Sequence, residues 1–218
     1  LALLISLFTQ AYRYAAEPFF FRHAAEKNAL QIQANATKWF TIAAAAGMLG
    51  ILLFLDLLKG FIGEDFREGL HVVPILLLAN VLLGVYYNFS VWYRLKDRTV
   101  LGAWISAAGA VVTLVLNLWW VPRMGYAGAA WATLACYFFV AWATWQTGRR
   151  EYPAPYPLGR MAAYLGAAVA IAGLHLGLKI WLPELPSPVF LGAGAVFFGV
   201  FLGLVWVWEK EELRRLKF

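Results

Sequence analysis

Arg13 and Glu17 stand inside the otherwise apolar stretch Leu1–Phe21, with Pro18 directly after the carboxylate. At i,i+4 spacing the two side chains share one face of a helix. A charge at the centre of a bilayer costs at least about 2.5 kcal/mol on insertion scales, so that face must meet protein or a water-filled cavity. Pro18 cannot donate to the carbonyl of Tyr14 and biases Glu17 away from helical geometry, which predicts a bend beside the charges. Two readings stay open on the residues alone. The pair neutralises itself and fixes the register of a packed helix, or it lines a water-accessible face, where an arginine fork suits a phosphate better than a lysine would.

The other reactive residue types give weaker signals. His23, His71 and His175 are far apart and lack ligand spacing, and Cys136 is alone, so no disulfide, thiolate metal site or cofactor is expected. Glu64, Asp65, Glu68 and His71 fall in the joint "GFIGEDFREGLH" without a nucleophile pairing, and a solvated loop face is the expectation there. No glycine-rich phosphate loop is present, which argues against ATP coupling in this chain. No catalytic residue is therefore nominated, and the chain is not expected to be an enzyme. Asn80, Asn88 and Ser90 bring polar groups into one apolar run, where hydrogen bonding between helices competes with a binding role. His175 and Lys179 share a face one turn apart, with Lys179 read as an interfacial anchor that snorkels.

These residues are carried by an apolar chain. Of 218 residues, 62% are hydrophobic and 14% charged, and the mean hydropathy is +0.67. A soluble domain of this length needs far more charged surface, so a membrane protein is expected. A helix takes roughly 20 apolar residues to cross the hydrocarbon core. Six uncharged runs approach or exceed that: 39–55, 72–93, 99–122, 124–148, 161–178 and 185–208. The 1–21 stretch makes a seventh. The reading is an all-α, polytopic membrane helix bundle of seven spans in a single domain, with helices at about 1–22, 38–58, 71–93, 99–121, 124–147, 160–182 and 187–208 and a tail over 209–218. The joints are short and several carry Gly or Pro, as helical hairpins require.

The net charge of +6 and the pI near 9.5 would admit nucleic acid as a partner. The distribution of the charges points elsewhere. Alternate joints and the tail hold 13 basic residues, Lys38, Arg94 and Arg160 among them, against four (Lys59, Arg67, Arg123 and Lys179) on the other side. Basic excess marks the cytoplasmic face, so the expected C-terminus is cytoplasmic and the basic surplus meets anionic lipid. Trp39, Trp92, Trp142, Trp145, Trp206 and Trp208 fall near the same ends, and Trp119, Trp120 and Trp181 near the opposite ones, as indole rings at headgroup level would. Seven spans with an external start imply a longer parent with an N-terminal portion ahead of Leu1.

Three stretches together resemble the polysaccharide flippases of the multidrug/oligosaccharidyl-lipid/polysaccharide exporter superfamily, of the O-antigen or lipopolysaccharide exporter type. They are "QAYRYAAEPFFF" (Gln10–Phe21), "VPILLLANVLLGVYYNFSVWYRLKDRT" (Val73–Thr99) and "GAVVTLVLNLWWVPRMGYAGAAWATLACY" (Gly109–Tyr137). The resemblance extends over about Leu3 to Pro157. It implies the C-terminal lobe of a MATE-like two-lobe exporter, with a missing N-terminal lobe of the same chain as partner. The implied activity is alternating-access transfer of an oligosaccharide linked to a polyprenyl diphosphate across a bacterial inner membrane. By that mapping Arg13 faces the phosphate, Glu17 sets its rotamer or couples to a cation or proton, and Gln10 and Asn88 join them as cavity candidates, while Pro18, Gly47 and Gly50 are hinge candidates. In the last quoted stretch, Gly125, Gly128, Ala129 and Ala132 let helices approach closely, and Pro122 is expected to end its helix. Two other functions remain open. One is a cation-coupled multidrug antiporter using Glu17, and the other an integral-membrane glycan polymerase or acyltransferase.

Overall fold

Apolar runs separated by polar joints become helices wherever backbone groups must be satisfied without water. The computed structural model describes residues 2–60, 63, 69–184 and 186–215, which form eight helices and, among these residues, no strand. They are α1 (Ala2–His23), α2 (Ala29–Leu53), α3 (Leu55–Lys59), α4 (Val73–Leu95), α5 (Thr99–Met124), α6 (Tyr126–Glu151), α7 (Leu158–Trp181) and α8 (Ser187–Arg215). Six of them, α2 and α4 to α8, are long and apolar enough to cross a membrane. The architecture is all-helical, as a polytopic membrane bundle is. α1 has the length but falls short in hydropathy, because Gln10, Arg13 and Glu17 interrupt it. The carboxylates Glu64, Asp65 and Glu68 of the "GFIGEDFREGLH" joint, with Arg67 and Lys217, lie outside the described residues, as do the side chains of Arg214 and Arg215.

Several boundaries differ from the apolar runs. α2 starts at Ala29, well ahead of Trp39, because Gln31, Gln33, Asn35 and Thr37 are tied into the helix and its neighbours. Gln31 donates to Asn35 and Thr37 to the Gln33 carbonyl, while Gln33 Nε2 reaches the Asn88 carbonyl and the Tyr156 hydroxyl, both at 3.0 Å. Lys38 is consequently buried within α2 rather than placed in a joint, its ammonium 5.0 Å from the Trp39 ring centroid. Proline does not end α5 as expected: Pro122 lies inside the helix, which runs on to Met124. The stop comes from Gly125 at φ 57°, a conformation that disfavours any side chain. α8 continues through the tail to Arg215, whose Glu, Lys, Leu and Arg residues are good helix formers.

Contacts divide the chain into two compact units: 1–44 with 69–157, and 45–68 with 158–218. In the first, α4 packs on α1, α5 and α6, and α5 forms an antiparallel hairpin with α6. Small residues set these approaches. A Cβ at Gly128 would lie 2.6 Å from the Trp120 carbonyl oxygen, one at Gly148 2.8 Å from the Trp92 indole nitrogen, and one at Gly84 inside the Phe40 ring. Trp92 is therefore a core residue, 2% exposed with its N–H donated to the Thr144 carbonyl at 3.2 Å. Along α5, Val100, Trp104, Val111, Leu114, Val115, Leu118 and Trp119 stay exposed, a full-length apolar stripe suited to lipid rather than water.

In the second unit, α7 packs on α8. Tyr164 on α7 donates its hydroxyl to the fully buried Glu209 carboxylate on α8 at 2.5 Å, and Arg160 approaches the same oxygen at 3.8 Å. Gly173, Gly177, Gly199 and Gly203 face open space, so neither GxxxG pair makes a close helix contact among the described residues. Lys179 has a protein partner. It bonds Asp56 of α3, which also holds Lys59 at 2.8 Å. Burial alone would raise the Asp56 carboxyl, but the two ammonium groups outweigh it and hold the carboxyl below its ordinary value. A depressed folded value stabilises above the unfolded pKa and is lost as pH falls through the folded one. Thermal unfolding in detergent should therefore show wild type losing stability below about pH 4, near the ordinary aspartate value. Asp56→Asn should be less stable at neutral pH and lack that acid step, and identical pH profiles would contradict the assignment.

Candidate functional site: a guanidinium-carboxylate cluster on α1 and α4

α1 and α4 run parallel, and polar side chains join them along most of their contact. Thr9 lies opposite Gly84, Tyr12 opposite Asn88, and Glu17 opposite Arg94. The absence of a side chain at Gly84 admits the Phe40 ring, which also stacks against Phe8 and meets Tyr12 at 4.5 Å between ring centres. Asn88 is 2% exposed. Its amide nitrogen donates to the Gly84 carbonyl at 3.0 Å and its oxygen accepts the Tyr12 hydroxyl at 2.9 Å. The amide nitrogen thus bonds within α4, while the side-chain oxygen ties α4 to α1 and the Asn88 carbonyl ties it to Gln33 of α2, so Asn88 is a structural bridge beneath the site.

Above that bridge, the Glu17 carboxylate joins two arginines through one oxygen. Arg13 Nε approaches it at 3.2 Å and Arg94 Nη1 at 2.6 Å. The three side chains carry a formal charge of +1, and each is about 30% exposed (33%, 28% and 29%), although Arg13 Nε and the shared Glu17 Oε1 are themselves buried. The Arg13 guanidinium also lies 4.8 Å from the Tyr87 ring centroid, a cation–π geometry that orients its plane. Arg94 Nη2 is 3.5 Å from Ser90 Oγ. Arg94 stands in the last turn of α4. Tyr87 is eight residues before Leu95, roughly 12 Å at about 1.5 Å per residue. The cluster thus extends from the end of α4 to a little over two turns inside it.

These residues form one wall of an open cavity of about 300 Å³, completed by Tyr86 and Tyr93 of α4 and by Thr99, Gly102, Ala103 and Ser106 of α5. The Tyr93 hydroxyl donates to Tyr86 at 3.1 Å, and Tyr86 and Ser106 share a hydrogen bond at 3.3 Å. Gly102 is required here, since a Cβ would meet the Tyr93 ring at 2.7 Å. The result is a cationic end flanked by aromatic faces and hydroxyls. Such a surface can take an anionic group on its arginines and a polyhydroxylated or ring-shaped group against its tyrosines.

The structure brings Arg13 and Glu17 together on this wall and places Asn88 behind it. Gln10 is half-buried one turn before Arg13 and is not part of the lining. Pro18 is exposed within an unbroken α1, and Gly47 and Gly50 lie within an unbroken α2. The interruption along that path falls at Phe54, where α2 stops and α3 begins. Asn80 donates to the Leu76 carbonyl of its own helix, and Asn117 is half-buried on α5. Arg94, Tyr86, Tyr87 and Tyr93 are cavity residues that motif reading misses. Their signal is present in the order of residues: Tyr86, Tyr87, Ser90, Tyr93 and Arg94 follow at offsets of one, four, seven and eight, a polar face within an apolar helix. Compared with family models, curated proteins and solved structures, the chain matches none.

Proposed function

We propose that this chain is the C-terminal half of a membrane carrier that moves an anionic, lipid-linked oligosaccharide across a bacterial inner membrane by alternating access. The observation that carries the reading is the Arg13–Glu17–Arg94 cluster at the mouth of a tyrosine-lined cavity. A diphosphate head displaces Glu17 from between the two guanidinium groups, and charge-assisted bonds to phosphate replace those to the carboxylate. Tyr86, Tyr87 and Tyr93 offer ring faces to the sugars, while the hydrocarbon tail remains in the lipid along the apolar outer face of α5. In this reading α1 is the seventh span. Its 22 residues and its parallel course beside α4 support that, and its charges are sheltered by the cavity wall.

The multidrug-antiporter alternative would use Glu17 to exchange a cation. Two arginines on that carboxylate leave the site positive, which disfavours a cationic drug. The decisive experiment is leaflet translocation of a defined polyprenyl-diphosphate oligosaccharide in liposomes containing the full parent carrier. Arg13→Ala should abolish most translocation while inserting normally. Wild-type rates in that variant would remove the cavity from the mechanism, and product formation from the glycan would replace the carrier by a polymerase or acyltransferase.

A further inference from the structure

α7 and α8 pack with the start of one beside the end of the other, as the contact of Tyr164 with Trp208 shows. At that end another cavity opens, of about 320 Å³. Gly159, Arg160 and Ala163 of α7 and Trp208 of α8 line it, all four within the second unit. None of them belongs to the Arg13–Glu17–Arg94 cluster.

The lining joins a cation to an aromatic ring. The Arg160 side chain is 60% exposed, and its Nη1 lies 3.8 Å from Glu209 Oε1, outside hydrogen-bond range. That oxygen already accepts the Tyr164 hydroxyl at 2.5 Å. The buried carboxylate thus draws the guanidinium toward α8 by charge and leaves its N–H fork free for a second acceptor. Trp208 is supported by the Tyr164 ring, 5.3 Å away between centroids, and keeps 44% of its surface exposed. A Cβ at Gly159 would meet nothing within 4 Å, so that side of the cavity is open.

The position of the cavity selects the ligand. α7 and α8 are both long and apolar enough to cross a bilayer, so their shared end falls at headgroup level. Arg160 and the 209–218 tail bring five basic residues against three acidic ones to this end, a balance that attracts anionic lipid. Further along α7, Gly166, Ala170 and Gly173 continue the Ala163 face at helical spacing, and all three are exposed. An acyl chain descending from the cavity meets no projecting side chain on that line.

We propose that this cavity binds the headgroup of an anionic phospholipid from the surrounding bilayer. The phosphate takes charge-assisted hydrogen bonds from Arg160, the glycerol region rests on the Trp208 indole, and an acyl chain follows the small-residue face of α7. The site does not rest on the transport reading, because it uses no residue of the cluster on α1 and α4.

The test is native mass spectrometry of the full chain, titrated in detergent with phosphatidylglycerol or with phosphatidylcholine of the same acyl chains. Wild type should retain one phosphatidylglycerol in preference to phosphatidylcholine. Arg160→Gln should weaken that binding by about 10-fold, the scale of one lost charge-assisted bond. Gly159→Leu fills the cavity without altering any charge and should weaken it as well; it carries the test alone if Arg160→Gln does not give a folded, monodisperse sample. Lys210→Gln, at the same end of α8 with its ammonium over the Trp206 ring, should bind as wild type does. Equal loss in Lys210→Gln would overturn the site in favour of diffuse surface charge. Wild-type binding in Gly159→Leu would overturn it too, as would displacement of the lipid by millimolar inorganic phosphate, which would make the cavity a site for a soluble anion.

Discussion

Proteoliposomes carrying Arg94→Ala in the full parent carrier should translocate a diphosphate-linked lipid at least about 10-fold more slowly than wild type, the scale set by loss of a charge-assisted hydrogen bond of about 1.5–3 kcal/mol. Arg94 approaches Glu17 more closely than Arg13 does, at 2.6 against 3.2 Å. Its removal takes away the stronger link and lowers the cluster to neutral. Arg94→Lys keeps the charge but not the planar fork, and should recover only part of the rate. Glu17→Gln should act in the opposite sense on affinity. It frees both guanidinium groups for the ligand, so equilibrium binding of a diphosphate lipid tightens while turnover slows, since the internal carboxylate no longer competes for release. Arg94→Ala with wild-type binding and rate would reduce Arg94 to a charge that orients the chain.

Gly128→Val should be the most damaging single change to the fold of the first unit. The obstacle is the Trp120 carbonyl oxygen at 2.6 Å from the would-be Cβ, and it is backbone, so no rotamer change relieves it. The α5–α6 hairpin must open, at a cost of about 1–3 kcal/mol or more for an overpacked site. In detergent this appears as a lowered unfolding temperature and a loss of monodisperse protein. Gly173→Ala is the paired control. Open space surrounds it, and alanine favours the helix, so its stability should stay within about 0.5 kcal/mol of wild type or rise slightly. Equal damage from both would mean that the close approach at Gly128 does not support the hairpin.

Motif reading alone reaches part of the site. Arg13 and Glu17 stand out because charge is costly in an apolar run, and that cost does not depend on where the helix packs. Arg94 does not stand out, because it is embedded in "RLKDR", where four of five residues invite a reading as topogenic or polar. Only its contact with Glu17 across two helices distinguishes it from Lys96 and Arg98. Trp92 and Lys38 show the same limit. Residue type suggests exposure for each, yet each is buried because a neighbouring glycine or polar helix face makes room for it.

Amino-acid order is enough to set the helical class, the long apolar segments and the polar joints between them. Those follow from local hydropathy and backbone hydrogen bonding, which each segment satisfies on its own. The same order marks Gly128 of "GYAGAAWATLA" as a close helix contact, since that depends on size along one face, whereas Gly125, expected to do the same, has open space around it and ends α5 instead. Which polar residues meet is a matter of packing. The meeting of Glu17 with Arg94, of Lys179 with Asp56, and of Tyr164 with Glu209 joins residues 77, 123 and 45 positions apart. Such pairings depend on helix rotation and axial register, which a periodic apolar pattern leaves undetermined because every lipid-compatible face looks alike.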